Sequence, residues 1–198
     1  ALRFIDMIEI GSEGLRAFAR VLSKRCGLLD GSGFGLEYHH DYMGDTTVNL
    51  GVLELKPDSG KALVNVRYPV GVKSTDVENA FARVAEEESK AVDGLKMESG
   101  IHGRVQEALY ISPEEHDRFL QSLQIAYETA SGRPRKLKAI RGTTYAKAFP
   151  SAVAFGPLDE EAGDTEMAHE PNERISIDRY LENIKIYALA LALLAYQQ

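Results

Sequence analysis

His169 stands in "DTEMAHEPNERISI", residues 164–177, among carboxylates and close to a proline. A histidine so placed has two readings. It is a loop residue in contact with water, or a metal ligand at the mouth of a site whose other parts lie elsewhere. Glu173 follows four residues later, but Pro171 interrupts any regular helix between them, so the pair is not a helical zinc motif. Two groups also fall short of the four ligands that zinc takes, and on spacing alone the water-facing reading is the simpler one. Arg67, in "NVRYP", closes a strand-like run just before a proline. It could clamp a carboxylate in bidentate fashion, or it is a surface arginine. In "IRGTTYAK", Gly142 joins an apolar run to a short helix-like segment, where exposed backbone N–H groups suit a carboxylate or oxyanion. A plain turn fits those residues equally well. His39 and His40 are adjacent, and on a strand they face opposite sides and cannot serve one site. His102 and His116 have no assigned role, and Cys26 reads as inert packing. The sequence holds no phosphate-binding loop, dinucleotide fingerprint or serine-nucleophile motif.

The elements that must carry these residues fit in 198 residues as one large domain or two small ones. A hydrophobic content of 44% with 27% charged residues is that of an ordinary folded soluble protein. The net charge of -7, with no basic stripe, argues against nucleic acid as a partner. The single cysteine excludes an internal disulfide and suits a reducing cytoplasm. The most apolar run, "IYALALALLAY" from Ile186, falls short of the roughly 20 residues needed to cross a bilayer, so no membrane association is expected.

Along the chain, 12–27 has Leu15, Phe18, Ala19 and Leu22 at helical spacing, with Ser12 as N-cap and Gly27 as stop. "LEYHHD" suggests a short strand, and the run 46–70 suggests two strands joined at "KPDSG". The segment 74–92 is an amphipathic helix with Thr75 and Glu78 as a capping box, and 94–105 reads as another strand. This order predicts a two-layer α+β sheet with helices on one face. From about residue 109 the pattern changes. Ser112, Pro113 and Glu115 start a helix that runs to Ser131, "KLKAI" and "AVAFG" read as short buried strands, and Ser176 caps a terminal helix, 177–196. That is α/β grammar, giving a mixed α+β and α/β chain with its boundary near 108.

Four stretches in order, "MGDTTVNLGVLEL", "KALVNVRYPVG", "RGTTYAKAFPSAVAFGPL" and "DTEMAHEPNERISIDRYLENIKIYALAL", resemble the zinc-dependent dipeptidases of the dipeptidase V type. These are Xaa-His, carnosinase-like members of the co-catalytic di-zinc exopeptidases. The resemblance implies that 1–108 is part of a lid domain and 109–198 the closing part of a metallopeptidase catalytic domain. It implies hydrolysis of a dipeptide by water activated between two zinc ions. It makes His169 the last metal ligand and Arg67 the lid arginine on the substrate carboxylate. The backbone at Gly142 and Thr143 becomes the turn that touches the same end of the substrate.

Departures accompany the likeness. Members usually carry a run of glycines before "TYA", whereas Arg141 and Thr143 flank Gly142 here. The other zinc ligands, the general-base glutamate and a lid histidine belong to an N-terminal segment that this sequence does not contain, and Ala1 opens within a helix-like run. The chain alone is therefore expected to be inactive, and the apolar terminal helix is expected to drive self-association. The alternative is a non-catalytic relative that serves binding or assembly.

Overall fold

An amphipathic pattern at the start of the chain becomes helix α1, Glu13–Cys26, which buries Leu15, Ala19, Val21, Leu22 and Cys26. Gly27 ends it as predicted, its N–H donating to the Ser23 carbonyl. The computed structural model describes residues 13–103, 105–140, 144–149, 151–156, 158–165, 167 and 169–196. Ser12, the predicted cap, lies outside the described residues. The described residues form four α-helices and two small antiparallel sheets, the mixed α+β class expected. The chain divides into two units, Ala1–Ala108 with Ala139–Arg141, and Leu109–Lys138 with Gly142–Gln198.

In the first unit, β1 (His39–His40) pairs with β2 (Gly44–Asp45). The predicted hairpin is β3 (Thr47–Lys56) and β4 (Ser59–Arg67), antiparallel from Thr47↔Arg67 to Lys56↔Ser59. A register shift at Gly51 is what keeps the inner face apolar. Leu50 and Leu53 both pack on the core although an unbroken alternation would put them on opposite sides. Helix α2, Ser74–Ala91, supplies Ala80 and Val84 to the same core, which also holds Val48 and Leu36. The rings of Phe34 and Phe81 stack at 4.1 Å. The two helices thus cover one face of the hairpin.

Several local expectations shift. The carboxylate that returns to the N-terminus of α2 is Asp76, which accepts from the Lys73 N–H at 2.9 Å; the helix starts two residues earlier than the Thr75–Glu78 pairing required. The segment 94–105 has no ladder among its described residues. It is pinned by side chains instead: Met97 N–H donates to Ser89 Oγ at 2.8 Å, and Glu107 accepts from Ser74 N–H and Oγ–H at 3.1 and 2.6 Å.

Burial pushes the Cys26 thiol up to about 11, which leaves it protonated and unreactive at neutral pH, in line with a packing role. Its neighbour turn Ser32–Phe34 lies so close to α1 that a Cβ on Gly33 would sit 2.1 Å from the Arg25 carbonyl oxygen. That oxygen is backbone and cannot rotate away. Gly33→Ala is therefore expected to lower stability by about 3 kcal/mol, the upper part of the overpacking range, measured as a shift in the denaturant midpoint. Wild-type stability in that variant would contradict the close packing of this turn.

In the second unit, α3 (Asp117–Ser131) packs against α4 (Ile177–Ala195) through Leu123, Ala126 and Ala190. Ser112 Oγ accepts from Glu115 N–H at 3.3 Å and donates to Glu114 at 2.6 Å. It caps a preceding turn, so α3 itself starts at Asp117 rather than at the predicted Pro113. Gly132, at φ 69°, ends the helix in the left-handed region. Ser176 caps α4 as predicted, accepting from the Arg179 N–H at 3.1 Å. The two expected buried strands do not form ladders among the described residues. "KLKAI" is exposed, with Lys136 and Lys138 paired to Glu161 and Glu160 at 2.8 Å each. "AVAFG" packs Val153 and Phe155 on the helix pair, and Tyr187 OH donates to the Phe155 carbonyl at 2.8 Å. A strand covered on both faces requires neighbours to satisfy its backbone, and no described segment of this unit supplies them.

Candidate functional site

The turn His169–Glu173 has an unusual backbone. His169 and Asn172 adopt φ of 67° and 64°, the left-handed region that residues with a Cβ rarely occupy. Such a conformation costs on the order of 1 kcal/mol and persists only where its surroundings hold it. Here Glu173 Oε2 accepts from the His169 N–H at 3.2 Å, and Glu173 N–H donates to the Glu170 carbonyl at 3.1 Å. The carboxylate noticed in the sequence as a weak second ligand thus contacts the histidine's own backbone. His169 itself is exposed.

The segment that leads into this turn is anchored by a network that the sequence did not suggest. Asp159 Oδ2 accepts from Tyr127 OH and from Arg133 Nε, both at 2.7 Å. Arg133 continues to Glu182 at 2.6 Å, and Glu182 also pairs with Arg179. Arg179 Nε lies 2.8 Å from Asp164 Oδ2, as an ion pair rather than an aligned hydrogen bond. Asp164 further accepts from the Asp159 N–H at 2.9 Å. Burial raises the Asp159 carboxyl, but the hydrogen bonds from Tyr127 and Arg133 with the charges of Arg133 and Arg179 outweigh it and hold the group below its ordinary range. An open cleft of about 250 Å³ borders the same segment, with Leu158, Asp164, Met167, Arg174 and Ser176 in its lining.

Arg67 ends β4 opposite Thr47, exposed on the face of the hairpin away from the helices. Next to it, Tyr68 OH donates to Glu107 Oε2 at 3.2 Å, and burial followed by the Glu107 charge pushes that phenol up to about 12. Arg67 belongs to the first unit and His169 to the second. Gly142 and Thr143, with Arg141, lie outside the described residues. After them, Thr144 caps the 3-10 turn Tyr145–Ala148 by accepting from the Ala146 N–H. His39 and His40 part as expected: His39 Nδ1 meets Asp45 at 2.7 Å, while His40 Nδ1 accepts from the Tyr42 and Met43 N–H groups.

Among the described residues no group of three or more histidines, cysteines and carboxylates is arranged to hold a metal ion. None of the described helices is long and apolar enough to cross a membrane.

The chain is similar, over nearly all its length, to part of proteins named as dipeptidases. Putative dipeptidase YtjP of Bacillus subtilis is 31% identical over 193 residues, 97% of this chain and 38% of that protein. A Putative dipeptidase of Staphylococcus epidermidis is 32% identical over 162 residues, 81% of this chain and 32% of that protein. Putative dipeptidase SSP1012 of Staphylococcus saprophyticus is 32% identical over 169 residues, 85% and 34% of the two chains. The chain thus spans between 32% and 38% of the length of these curated relatives. No protein-family model matches.

Proposed function

We propose that this chain is a section of a metal-dependent dipeptidase, with His169 as one donor to a two-zinc centre and Arg67 as the group that grips the substrate's terminal carboxylate. The observation that carries the peptidase reading is the similarity, across 97% of the chain, to a relative named as a dipeptidase. The role of His169 is supported by its exposed side chain on a backbone held in the left-handed region by Glu173. An imidazole is among the donors zinc prefers, so this residue fits the metal, while the described residues around it form no group of three or more candidate ligands. The remaining donors and the general base would come from the part of the relatives that this chain does not span. When bound, zinc supplies an activated water at neutral pH and polarises the scissile carbonyl.

The chain's own residues would hold and orient. Arg67 would fix the dipeptide's carboxylate through paired N–H donors, which sets the register of the peptide bond against the metal centre. Backbone at Gly142 and Thr143 would share that carboxylate. The chain by itself would not hydrolyse dipeptides. The test is dipeptide hydrolysis and zinc content in the full-length polypeptide, wild type against His169→Ala, with Arg67→Ala alongside. Arg67→Ala is expected to raise KM by roughly tenfold or more, as loss of a charged hydrogen bond does. Equal hydrolysis and equal zinc in wild type and His169→Ala would remove His169 from the site.

A further inference from the structure

We propose that Arg179 is the positioning residue for His169. The inference rests on the reading of His169 as a zinc donor. Arg179 touches both ends of the span carrying His169. Its side chain pairs with Asp164 at 2.8 Å on the upstream side, and its backbone N–H donates to Ser176 Oγ at 3.1 Å on the downstream side. The Arg179 side chain is 10% exposed, and Glu182, the second carboxylate it meets, is itself tied to Arg133 at 2.6 Å. The span is thereby closed at its base on α4, a helix packed against α3, so the turn is carried by a rigid element.

Within that span, the bond from His169 N–H to Glu173 and the backbone bonds from Glu170 N–H to the Met167 carbonyl and from Glu173 N–H to the Glu170 carbonyl shape the left-handed turn. The side-chain bond lies at the surface, and such a bond has a net worth of about 1 kcal/mol, similar to the cost of one left-handed residue. Fixing the ends of the span therefore adds to what keeps the turn in shape. Releasing Arg179 from Asp164 leaves the upstream end held through Asp159 alone, and the imidazole is then expected to sample more orientations. A metal site feels this as lost preorganisation, of the size seen when groups behind the ligands are removed.

The experiment uses the full-length polypeptide. Zinc affinity is measured by competition with a chromogenic chelator for wild type, Arg179→Gln, Arg179→Lys and His169→Ala, each checked for native far-UV dichroism. Amide exchange of the metal-free protein is measured in parallel. Arg179→Gln is expected to weaken zinc binding about tenfold and to speed exchange at His169, while α3 keeps its protection. Arg179→Lys, which restores the charge facing Asp164, is expected to recover part of the loss. Should Arg179→Gln not fold, Asp164→Asn carries the same expectation, because it keeps the side-chain shape and an acceptor for the Asp159 N–H. Wild-type zinc affinity in the folded variant, with His169→Ala lowering it, overturns the positioning role alone. Zinc binding unchanged in His169→Ala overturns the underlying reading instead.

Discussion

His169→Ala in the full-length polypeptide is expected to lower dipeptide hydrolysis by more than about 100-fold and to release zinc. Removing a group behind a ligand already costs up to that much, and a ligand should cost more. Alanine alone leaves an ambiguity, because it changes two things at once. His169 contributes an imidazole and also a residue at φ 67°, where alanine carries a penalty of its own. His169→Asn separates them. Asparagine enters the left-handed region more readily than most residues, and its N–H can still donate to Glu173, so the turn keeps its form while the ring is lost. If the imidazole is a zinc donor, both variants lose activity and metal together. If asparagine restores activity and metal content, the backbone shape of the turn is what matters and the ligand role fails.

How much of this was legible in the sequence depends on the range of the interaction concerned. The hairpin 47–67 was readable because period-two alternation and a Pro-containing turn are local signals. The register shift at Gly51 was not, since its purpose is visible only when Leu50 and Leu53 are seen on one face. Ser176 was found as a cap because its partner, Arg179, is three residues away. The start of α3 was misplaced by the same logic: Ser112 does accept from Glu115, but a single local bond is satisfied equally by an isolated turn. "KLKAI" and "AVAFG" show the limit of apolar runs as strand signals, because a ladder needs a partner that composition does not name. For the candidate site, residue type pointed to His169, but its left-handed backbone carried no sequence mark. Asp159, Arg133 and Glu182 escaped notice because they are separated by tens of residues and share no period. In the string they are ordinary surface charges, and only packing turns them into one connected group.

That connected group supports the other large prediction: Asp159→Asn is expected to destabilise the protein by about 1–2 kcal/mol at neutral pH. Breaking a fully buried pair costs about 3–5 kcal/mol because the remaining charge stays desolvated without a partner, whereas Arg133 here keeps Glu182. The side chains of Arg133 and Asp159 are 21% and 11% exposed, so the pair is part-buried and the loss falls short of that range. An asparagine oxygen could keep one of the two bonds now made by Oδ2, but it lacks the charge that holds Arg133. The effect should depend on pH with a definite sign. The folded carboxyl titrates below its ordinary value, so its contribution is complete above the unfolded value of about 4 and is lost as pH falls through the folded one. Denaturant melts of wild type and Asp159→Asn should therefore differ most at pH 7 and converge toward strong acid. A gap that stays constant down to acid would mean that asparagine fails for reasons of shape. No gap at pH 7 would mean that the Tyr127–Arg133–Asp159 cluster does not anchor the segment leading to His169, and the positioning of that residue would then have to come from elsewhere.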